Sequence, residues 1–490
     1  MIPRFSVLPA PNLLSLPGPL LAWLVALALG LALVWSGHAI IYKRDPRSAS
    51  LWFILIWILP AAGAVLYVLF GVNRVRRRAT KLRRAMIRHR TQPQAPAGAT
   101  EVCRGAAEHL VPLMTLVDRV VPRPLVAGTA IDVLVDGREA FPVMLAAIDS
   151  AQVSVALASY IFDSEGIGAQ FVAALARAHG RGVKVRVLID DFDARFSNAT
   201  AVAPLRRAGV QVGVFNPPFV PARVNAIHLR NHRKILVVDG TTGFTGGLNI
   251  DERYWRPARP QTAFRDLHFR VRGPVVAHLA EVFADDWQFT TGEALRGVKW
   301  FPALAVQGPT LARGIEAGPD ESVGCLRWTI IGALNAAQRS IRIVTPYFIP
   351  DAALLSALNA AALRGVEVDI FLPRHSDVRH VSWAAMGQLW QVLEGGCRVW
   401  FSPGPFDHSK LLLVDSAWTL FGSANWDARS LRLNFEFNLE SYGSELGARL
   451  EELIVVRRAK AHRVTMAQVN ARPLLVKLRD GAARMFAPYL

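Results

Sequence analysis

The sequence contains few cysteines and few charged residues. Its three cysteines are an odd number without the spacing of a disulfide framework or a metal site, and they are Cys103, Cys325 and Cys397. We therefore expect reduced thiols, no bound metal and no other cofactor. Charged residues make up only 19% of the 490 residues, whereas hydrophobic residues make up 52%, more than is usual for a soluble protein. This composition predicts membrane segments.

Two long stretches near the start carry no Lys, Arg, Asp or Glu. They are residues 20–42 and 51–72, and each is long enough to cross the roughly 30 Å hydrocarbon core as a helix. A cleaved signal peptide is the alternative for the first, but its apolar run is too long, only Arg4 precedes it and no clear cleavage site follows. We predict a two-helix transmembrane hairpin over 20–72, after an irregular segment 1–19.

Basic residues concentrate directly after the second apolar stretch. Residues 74–90 hold nine Lys and Arg and no acid, whereas the turn between the two stretches holds three basic residues. The larger cluster is expected to stay in the cytoplasm, together with everything that follows it. Its nine charges are half of the net charge of +18, so they indicate a tether to anionic lipid rather than a nucleic-acid site. We assign residues 73–125 to a basic juxtamembrane segment and linker.

One pattern of residues occurs twice, far apart in the chain. In both copies Lys follows His by two positions, Asp by seven, Gly by fourteen and Asn by seventeen. The residues are His232, Lys234, Asp239, Gly246 and Asn249, and then His408, Lys410, Asp415, Gly422 and Asn425. A lone His-x-Lys pattern is more often structural, but a second copy with matching Gly and Asn favours a functional site.

The spacing of each copy suits the binding of phosphate. The run after each His predicts a strand, so His and Lys project from one face, and a turn then brings Asn beside them. Each copy supplies half a site. With both halves, one imidazole attacks phosphorus, the other protonates the leaving oxygen, and the lysines with Asn249 and Asn425 hold the phosphate oxygens. This chemistry requires no metal.

The predicted order of helices and strands also repeats. Residues 159–163 correspond to 346–351, and 181–183 to 364–366. The alternation predicts an α/β fold of two pseudo-symmetric repeats, mixed sheets flanked by helices, with both motifs at one cleft. The repeats are assigned to residues 126–300 and 326–456, and residues 301–325 connect them. The basic tail 457–490 forms either an amphipathic helix on the bilayer or a helix packed on the protein.

Each repeat also offers an acid that can orient its own imidazole. We choose Asp266 for the first repeat and Glu436 for the second, against the alternative of ordinary surface salt bridges. Asp239 and Asp415 are expected to shape the turn rather than to act on substrate. Five arginines near the motifs are candidates for a second phosphate, with some of them plain surface residues: Arg230, Arg233, Arg265, Arg429 and Arg432.

At these residues the chain resembles the phospholipase D superfamily, whose signature is HxKxxxxDxxxxxxGSxN. The second copy matches it fully, and the first departs only at Gly247, where the signature has Ser. The resemblance implies a phosphohistidine intermediate, with His232 favoured as nucleophile and His408 as general acid. It implies a catalytic set of six motif residues: His232, Lys234, Asp239, His408, Lys410 and Asp415.

The surroundings of the motifs resemble those of bacterial cardiolipin synthases of the phospholipase D type. The similar stretches are residues 228–270 and 340–440, and the membrane hairpin and basic segment agree. This resemblance implies transfer of a phosphatidyl group between two phosphatidylglycerol molecules, in the bacterial inner membrane, by a multi-pass protein with a cytoplasmic catalytic domain. The implied partners are phosphatidylglycerol, other anionic phospholipids and the bilayer. Phe406 and Asp407 are less typical and predict a different entrance there.

Two other functions remain open at this stage. A phospholipase D hydrolase uses the same motif residues with water as the acceptor. A phosphodiesterase acting on nucleic acid is less favoured, because the basic residues cluster beside the apolar stretches and no groove of alternating aromatic and basic residues is evident. The sequence does not indicate the oligomeric state.

Overall fold

The computed structural model describes residues 18–43, 45–71, 108–196, 199–215, 230–319 and 322–487. Contacts divide the chain into two compact units, Met1–Arg77 and Arg78–Leu490. The basic cluster at 74–90, most of the segment 1–19, the rest of the linker before residue 108, and Cys103 lie outside the described residues. Predictions for those parts therefore remain predictions.

The first unit contains one long apolar helix and two shorter ones. They are α1 (Gly18–Tyr42), α2 (Pro46–Ile58) and α3 (Pro60–Leu66), and a π-helical turn, Tyr67–Gly71, follows. The side chain of Asp45 caps α2 by accepting hydrogen bonds from two backbone N–H groups. The second apolar stretch breaks at Leu59 and Pro60, because proline has no N–H to donate and its ring clashes with the preceding turn.

Because of this break, the predicted hairpin of two long transmembrane helices is not confirmed. Among the described residues, α1 is the one helix long and apolar enough to cross a membrane. The shorter helices pack against it through a small cluster that includes Ala32, Ala39, Ile56 and Tyr67. His38 contributes a 2.9 Å hydrogen bond between its Nδ1 and the Tyr67 hydroxyl. Most outward side chains of α1 are apolar and exposed.

In the part of the second unit that the structure describes, fifteen strands form one mixed sheet. The strands of the first repeat are β1 (Val126–Val135), β2 (Ser154–Ser159), β3 (Lys184–Asp190), β4 (Gln211–Phe215), β5 (Ile235–Val238), β6 (Thr242–Gly246) and β7 (Leu267–Arg272). Those of the second are β8 (Thr310–Ala317), β9 (Ser340–Val344), β10 (Glu367–Pro373), β11 (Arg398–Ser402), β12 (Leu411–Val414), β13 (Trp418–Gly422), β14 (Glu436–Tyr442) and β15 (His462–Val464).

The strand order demonstrates the duplication. From its outer edge the first repeat runs β4-β3-β2-β5-β6-β7-β1, and the second runs β11-β10-β9-β12-β13-β14-β8, with β15 added at the far edge. The three strands β2, β3 and β4 pair in parallel, as do β9, β10 and β11, and the other pairings are antiparallel. Antiparallel pairing of β1 with β8 joins the two predicted sheets into one. The predicted α/β class with a mixed sheet is confirmed.

Helices cover both faces of this sheet. In chain order they are α4 (Val111–Val120), α5 (Asp136–Ser150), α6 (Ile167–Gly180), α7 (Asp191–Phe196), α8 (Val202–Arg207), α9 (Val276–Thr291), α10 (Cys325–Ala336), α11 (Ala352–Leu363), α12 (Arg379–Met386), α13 (Leu389–Glu394), α14 (Ala428–Arg432), α15 (Ser444–Lys460), α16 (Met466–Asn470) and α17 (Leu474–Met485). Each repeat has its own apolar core beneath its helices.

Three predicted boundaries need correction. Strand β8 lies within residues 301–325, which therefore belong to the second repeat rather than to a simple connection. Helix α4 lies within the predicted linker, and its apolar side chains Leu113 and Val117 join the core of the second repeat. Helix α15 continues to Lys460, so the tail begins after this helix rather than at residue 457.

Candidate active site

The two motifs form equivalent hairpins in the two repeats. Each His immediately precedes a short buried strand, β5 or β12, and the chain returns as β6 or β13. All four residues of β5 and of β12 are buried and apolar, which anchors each hairpin in the middle of its half of the sheet. His232 and His408 are 9% and 6% exposed, so both imidazoles are almost closed off from solvent.

The motif aspartates lie at the opposite ends of these strands. The carboxylate of Asp239 accepts hydrogen bonds from the backbone N–H groups of residues 152–154, and that of Asp415 accepts them from residues 338–340, at 2.7–3.2 Å. Both aspartates have positive φ, 51° and 54°, in the turn itself. They tie each hairpin to the start of the neighbouring strand, as the turn-shaping prediction requires. Their inclusion in the catalytic set stays a prediction.

Each imidazole is held by a carboxylate from the other repeat. Nδ1 of His232 lies 3.0 Å from Oε2 of Glu436, and Nδ1 of His408 lies 3.0 Å from Oδ2 of Asp266. The prediction paired each acid with the His of its own repeat and was wrong on this point. An ionised carboxylate only accepts hydrogen bonds, so the proton of His232 resides on Nδ1 and its Nε2 lone pair is left for chemistry.

The backbone explains this exchange of partners. The residues that precede β7 and β14 extend across the seam between the repeats and pair with the segment that leads into the other motif. The amide of His232 donates to the carbonyl of Phe435 at 2.9 Å, and that of His408 donates to the carbonyl of Arg265 at 2.8 Å. Each acid is the next residue along, so the seam itself places it at the opposite imidazole.

The motif lysines complete a site that both repeats share. Nζ of Lys234 donates to the carbonyl of His232 at 2.8 Å, and Nζ of Lys410 donates to that of His408. Burial lowers the pKa of Lys234 to about 7 and that of Lys410 to about 8. Glu436 and Asp266 oppose this lowering for both lysines. The two lysines thus share the influence of the same two acids, one from each repeat.

Of the two acids, Glu436 accepts hydrogen bonds from more side chains. Besides His232, its carboxylate accepts hydrogen bonds from Ser423 Oγ at 2.5 Å and Asn434 Nδ2 at 3.2 Å. Burial opposes its ionisation, but the charges of His232 and Lys234 and these hydrogen bonds bring the pKa of Glu436 below its ordinary value. Glu436 is thus a fixed negative charge beside the first imidazole.

Asp266 has a different environment. Burial raises its pKa well above the ordinary value, and the nearby charge of Asp407 adds to this, against the opposing effect of Lys410. Its partner His408 also lies 2.9 Å from the hydroxyl of Tyr254 through the same Nδ1. Burial lowers the pKa of His408 well below its ordinary value, and Lys410 adds to the effect. The two imidazoles therefore differ in spite of the duplicated motif.

The departure at Gly247 has a steric cause. A Cβ at this position would lie 2.3 Å from Oδ1 of Asp266, closer than any real contact allows. The equivalent Ser423 faces a glutamate, and its hydroxyl bonds that carboxylate. A serine at 247 therefore does not fit against this aspartate.

The two motif asparagines are buried in the same region. Asn249 and Asn425 are 4% and 5% exposed. Oδ1 of Asn249 accepts a long hydrogen bond from the amide of Ile161, whereas Oδ1 of Asn425 has no partner among the described residues. Asn425 and Lys410 line one small cavity. The role of holding phosphate oxygens, for which the Nδ2 groups are the donors, stays a prediction.

Three tyrosines near the imidazoles were not singled out from the sequence. The rings of Tyr160 and His232 are 4.8 Å apart, and those of Tyr254 and Tyr347 are 5.8 and 6.5 Å from His408. Tyr160 and Tyr347 occupy matching places in the repeated stretches 159–163 and 346–351, which was a usable signal. Tyr254 gave no such signal, because only the fold brings its hydroxyl to the second motif.

The candidate arginines separate into different groups. Arg233 is fully buried and bonds Asp286 at 2.7 Å and the carbonyl of Glu436 at 3.1 Å, so it is a framework residue rather than a phosphate ligand. Arg230 lies 3.6 Å from Asp190. Arg265 and Arg429 are half-buried and Arg432 is exposed.

Beside each motif lies a buried ion pair, and its polarity is reversed between the repeats. In the first, Asp286 on helix α9 accepts hydrogen bonds from Asn231 and Arg233 in the segment before β5. In the second, Arg457 on the equivalent helix α15 donates to Asp407 and Ser409 in the segment before β12, at 2.9 and 3.1 Å. Asp407 is thus a buried partner of Arg457, which corrects the prediction that it marks a different entrance.

Comparison with known proteins agrees with this geometry. A profile for the family described as "Cardiolipin synthase, PLD-like domain" matches residues 144–287 and 330–454. The chain is 31% identical to the cardiolipin synthase of Geobacillus sp. (strain WCH70) over 454 residues, 91% of this chain and 90% of that protein. It is 30% identical to the major cardiolipin synthase ClsA of Bacillus subtilis (strain 168) over 465 residues, 91% and 95% of the two chains.

A solved structure shares the fold. The phosphatidylserine synthase of Haemophilus influenzae Rd KW20 superposes with a TM-score of 0.61 at 15% identity, covering 77% of this chain and 100% of that chain. At this identity the likeness concerns the fold alone. The two-repeat architecture is therefore one that an experimental structure also has.

Proposed function

Because the chain belongs to the cardiolipin synthase family of phospholipid phosphatidyltransferases, we propose that it joins two phosphatidylglycerol molecules into cardiolipin and releases glycerol. The observation that carries this proposal is the shared site, in which two buried imidazoles are each held by a carboxylate of the other repeat. Neither repeat alone contains a complete His–acid pair. The chemistry below therefore requires both.

In the first step, Nε2 of His232 attacks the phosphorus of the donor lipid. A P–N bond forms and the bond from phosphorus to the glycerol oxygen breaks. His408, whose pKa the bound phosphate anion raises so that it is protonated in the complex, gives its Nε2 proton to that oxygen. His232 is the better nucleophile because the ionised Glu436 accepts a hydrogen bond from its Nδ1–H. This carboxylate stabilises the positive charge that develops on the ring. The product is a phosphatidyl-histidine and free glycerol.

In the second step, His408 acts as a base. It removes the proton from the terminal hydroxyl of a second phosphatidylglycerol, whose oxygen attacks phosphorus. The P–N bond breaks, cardiolipin leaves and His232 returns to its starting form. One group serves as acid and then as base, which suits imidazole.

The lysines and asparagines hold the phosphate in both steps. Lys234, Lys410, Asn249 and Asn425 supply donors to the non-bridging oxygens, where negative charge increases in the transition state. An anion between the lysines raises their pKa values and keeps both of them charged. Transfer rather than hydrolysis is favoured by burial, since both imidazoles are at least nine-tenths shielded from water.

The protein associates with the membrane through its apolar N-terminal segment, and we infer a finer arrangement. Helix α1 spans the bilayer once, and α2 and α3 together return across it, with a kink at Pro60. The basic residues at 74–90 then lie at the cytoplasmic surface of the bacterial inner membrane, with the catalytic unit on the same side. Reporter fusions after residue 43 and after residue 90 test this, because they should report opposite sides.

The catalytic proposal is tested with labelled phosphatidylglycerol and the full chain in vesicles. Wild type should give cardiolipin and glycerol, and His232→Ala and His408→Ala should give neither. The intermediate is trapped by rapid denaturation at alkaline pH, because phosphohistidine is labile in acid. The trapped intermediate should be absent in His232→Ala. Phosphatidic acid as the product would instead identify a hydrolase, and cleavage of nucleic acid without lipid turnover would contradict the proposal entirely.

A further inference from the structure

The C-terminal helix α17 has an exposed apolar face that the catalytic site does not use. Five large side chains form it: Leu474 (71% exposed), Leu475 (80%), Leu478 (59%), Met485 (79%) and Phe486 (62%). At about 100° per residue, these positions fall within an arc of roughly 120° on the helix surface. We call this set the α17 face. A face of this kind is costly in water and calls for a covering partner.

The opposite side of α17 is firmly attached to the protein. Asp480 is 1% exposed and accepts hydrogen bonds from Arg472 and Arg479, at 2.6 and 2.7 Å. The guanidinium of Arg479 also lies over the ring of Trp383 on helix α12, 4.6 Å from its centre. The helix is therefore held on the protein with its apolar arc outward, which agrees with the alternative of a helix packed on the protein.

Basic residues border the α17 face on both sides. On the helical wheel Arg479 lies next to one margin, and Lys477 and Arg484 lie beyond the other. Within α17 the one acid, Asp480, points into the protein. A flat apolar arc with cationic margins matches the boundary between acyl chains and anionic headgroups, and does not match a protein partner with an ordinary mixed surface.

The same helix is connected to the catalytic site. Ala483 and Ala487 pack on a cluster of Ile349, Val381, Ala384 and Ala385, and Tyr347 packs against that cluster too. The ring of Tyr347 is 6.5 Å from that of His408. The contacts from α17 to the second imidazole thus run through this cluster and Tyr347.

We propose that the α17 face inserts into the anionic leaflet and seats the catalytic cleft on the membrane surface. This contact is separate from the N-terminal span and acts on the catalytic unit itself. The proposal rests on the proposed function only in taking the bilayer as the source of substrate. Insertion itself can be measured without turnover.

Insertion is measured on the full chain by fluorescence quenching. Leu475→Cys, in a background with Cys103→Ser, carries an environment-sensitive fluorophore, because Cys325 and Cys397 are buried. The vesicles contain phosphatidylserine, phosphatidylcholine and a lipid with a spin label on its acyl chain. The matched control is Leu363→Cys, since Leu363 is 79% exposed but stands alone. We expect several-fold stronger quenching at 475 than at 363, weakened when phosphatidylserine is omitted.

Equal quenching at the two positions would overturn the proposal. If it were accompanied by cross-linking of two copies through position 475, the α17 face would be a contact between copies instead.

A kinetic experiment tests the consequence for catalysis. The triple variant Leu474→Gln, Leu475→Gln and Leu478→Gln should raise the apparent KM for the surface fraction of phosphatidylglycerol about tenfold, with kcat unchanged. Leu363→Gln should change neither. An unchanged KM would refute a role in seating the cleft, and a loss of the site itself would appear in kcat. Failure of the catalytic proposal would appear as absent cardiolipin in wild type, whatever the quenching result.

Discussion

The exchange of carboxylates between repeats predicts how substitutions at the four central residues will group. Glu436→Gln removes a negative charge that accepts three hydrogen bonds, from His232, Ser423 and Asn434. Asp266→Asn replaces the carboxyl group that contacts His408. If each acid serves the imidazole it contacts, Glu436 variants should behave like His232 variants and Asp266 variants like His408 variants.

The expected magnitude follows from the hydrogen bond to the imidazole. A bond to a charged group contributes about 1.5–3 kcal/mol, and each 1.4 kcal/mol is about tenfold in rate, so Glu436→Gln should lower kcat by about 10–100-fold. KM should change little, because Glu436 contacts the imidazole rather than the lipid. Glutamine keeps the volume of the side chain, which limits any structural effect.

The assay compares two donor lipids. Phosphatidylglycerol needs a proton on its leaving oxygen, whereas the p-nitrophenyl ester of phosphatidic acid does not, because p-nitrophenolate is a good leaving group. With the ester, the first burst of p-nitrophenolate should be largely restored in His408→Ala and Asp266→Asn. It should stay slow in His232→Ala and Glu436→Gln.

The control is Glu452→Gln, since Glu452 is an exposed carboxylate that pairs only with Arg449 on the surface of α15. It should leave both reactions unchanged. The reasoning is refuted if the ester restores the burst in Glu436→Gln as it does in His408→Ala, because each acid would then serve the His of its own repeat. If His232 rather than His408 variants are restored, the exchange stands but the nucleophile is His408.

Three further changes test other parts of the site. Burial lowers the pKa of Lys234 to about 7 and that of Lys410 to about 8. As the pH rises through this range the free enzyme loses these charges, so kcat/KM should fall. Bound phosphate raises both pKa values, so kcat should fall only at higher pH. Arg457→Ala leaves the buried Asp407 without its ion-pair partner, so it should lower the free energy of unfolding by about 3–5 kcal/mol, measured by thermal denaturation. The control, Arg449→Ala, breaks an exposed pair and should lower it by less than about 1 kcal/mol. Gly247→Ser completes the sequence signature yet should lower activity, since the new Cβ meets Asp266; an activity at or above wild type would contradict the steric explanation.

The reversed ion pairs beside the motifs indicate how the repeats have diverged. Each repeat needs an oppositely charged pair between the motif strand and the helix behind it, because an unpaired charge there is costly. Either the motif segment or the helix can carry the positive charge. In the first repeat the motif segment carries it, as Arg233 paired with Asp286, and in the second the helix carries it, as Arg457 paired with Asp407. Exchanging one residue alone should therefore be far worse than exchanging both.

Much of this molecule was determined by its sequence alone. The duplicated His, Lys and Asn positions predicted one shared site, because side chains at i and i+2 of an extended segment share a face whatever surrounds them. The repeated order of elements likewise predicted the α/β class. The long charge-free stretches predicted the apolar unit. In the second stretch Pro60 ends one helix and begins the next, which the apolar composition did not indicate.

Only the tertiary structure decided which acid serves which imidazole. Asp266 and Glu436 were found as residues, but the pairing depends on Arg265 and Phe435 crossing the seam between the repeats, and such a crossing leaves no periodic trace in sequence. The same holds for Tyr254, whose hydroxyl reaches His408 over 154 positions of chain. Contacts of this kind arise from strands brought together by the packing of a whole sheet. The sequence specifies the groups, and the packing selects their partners.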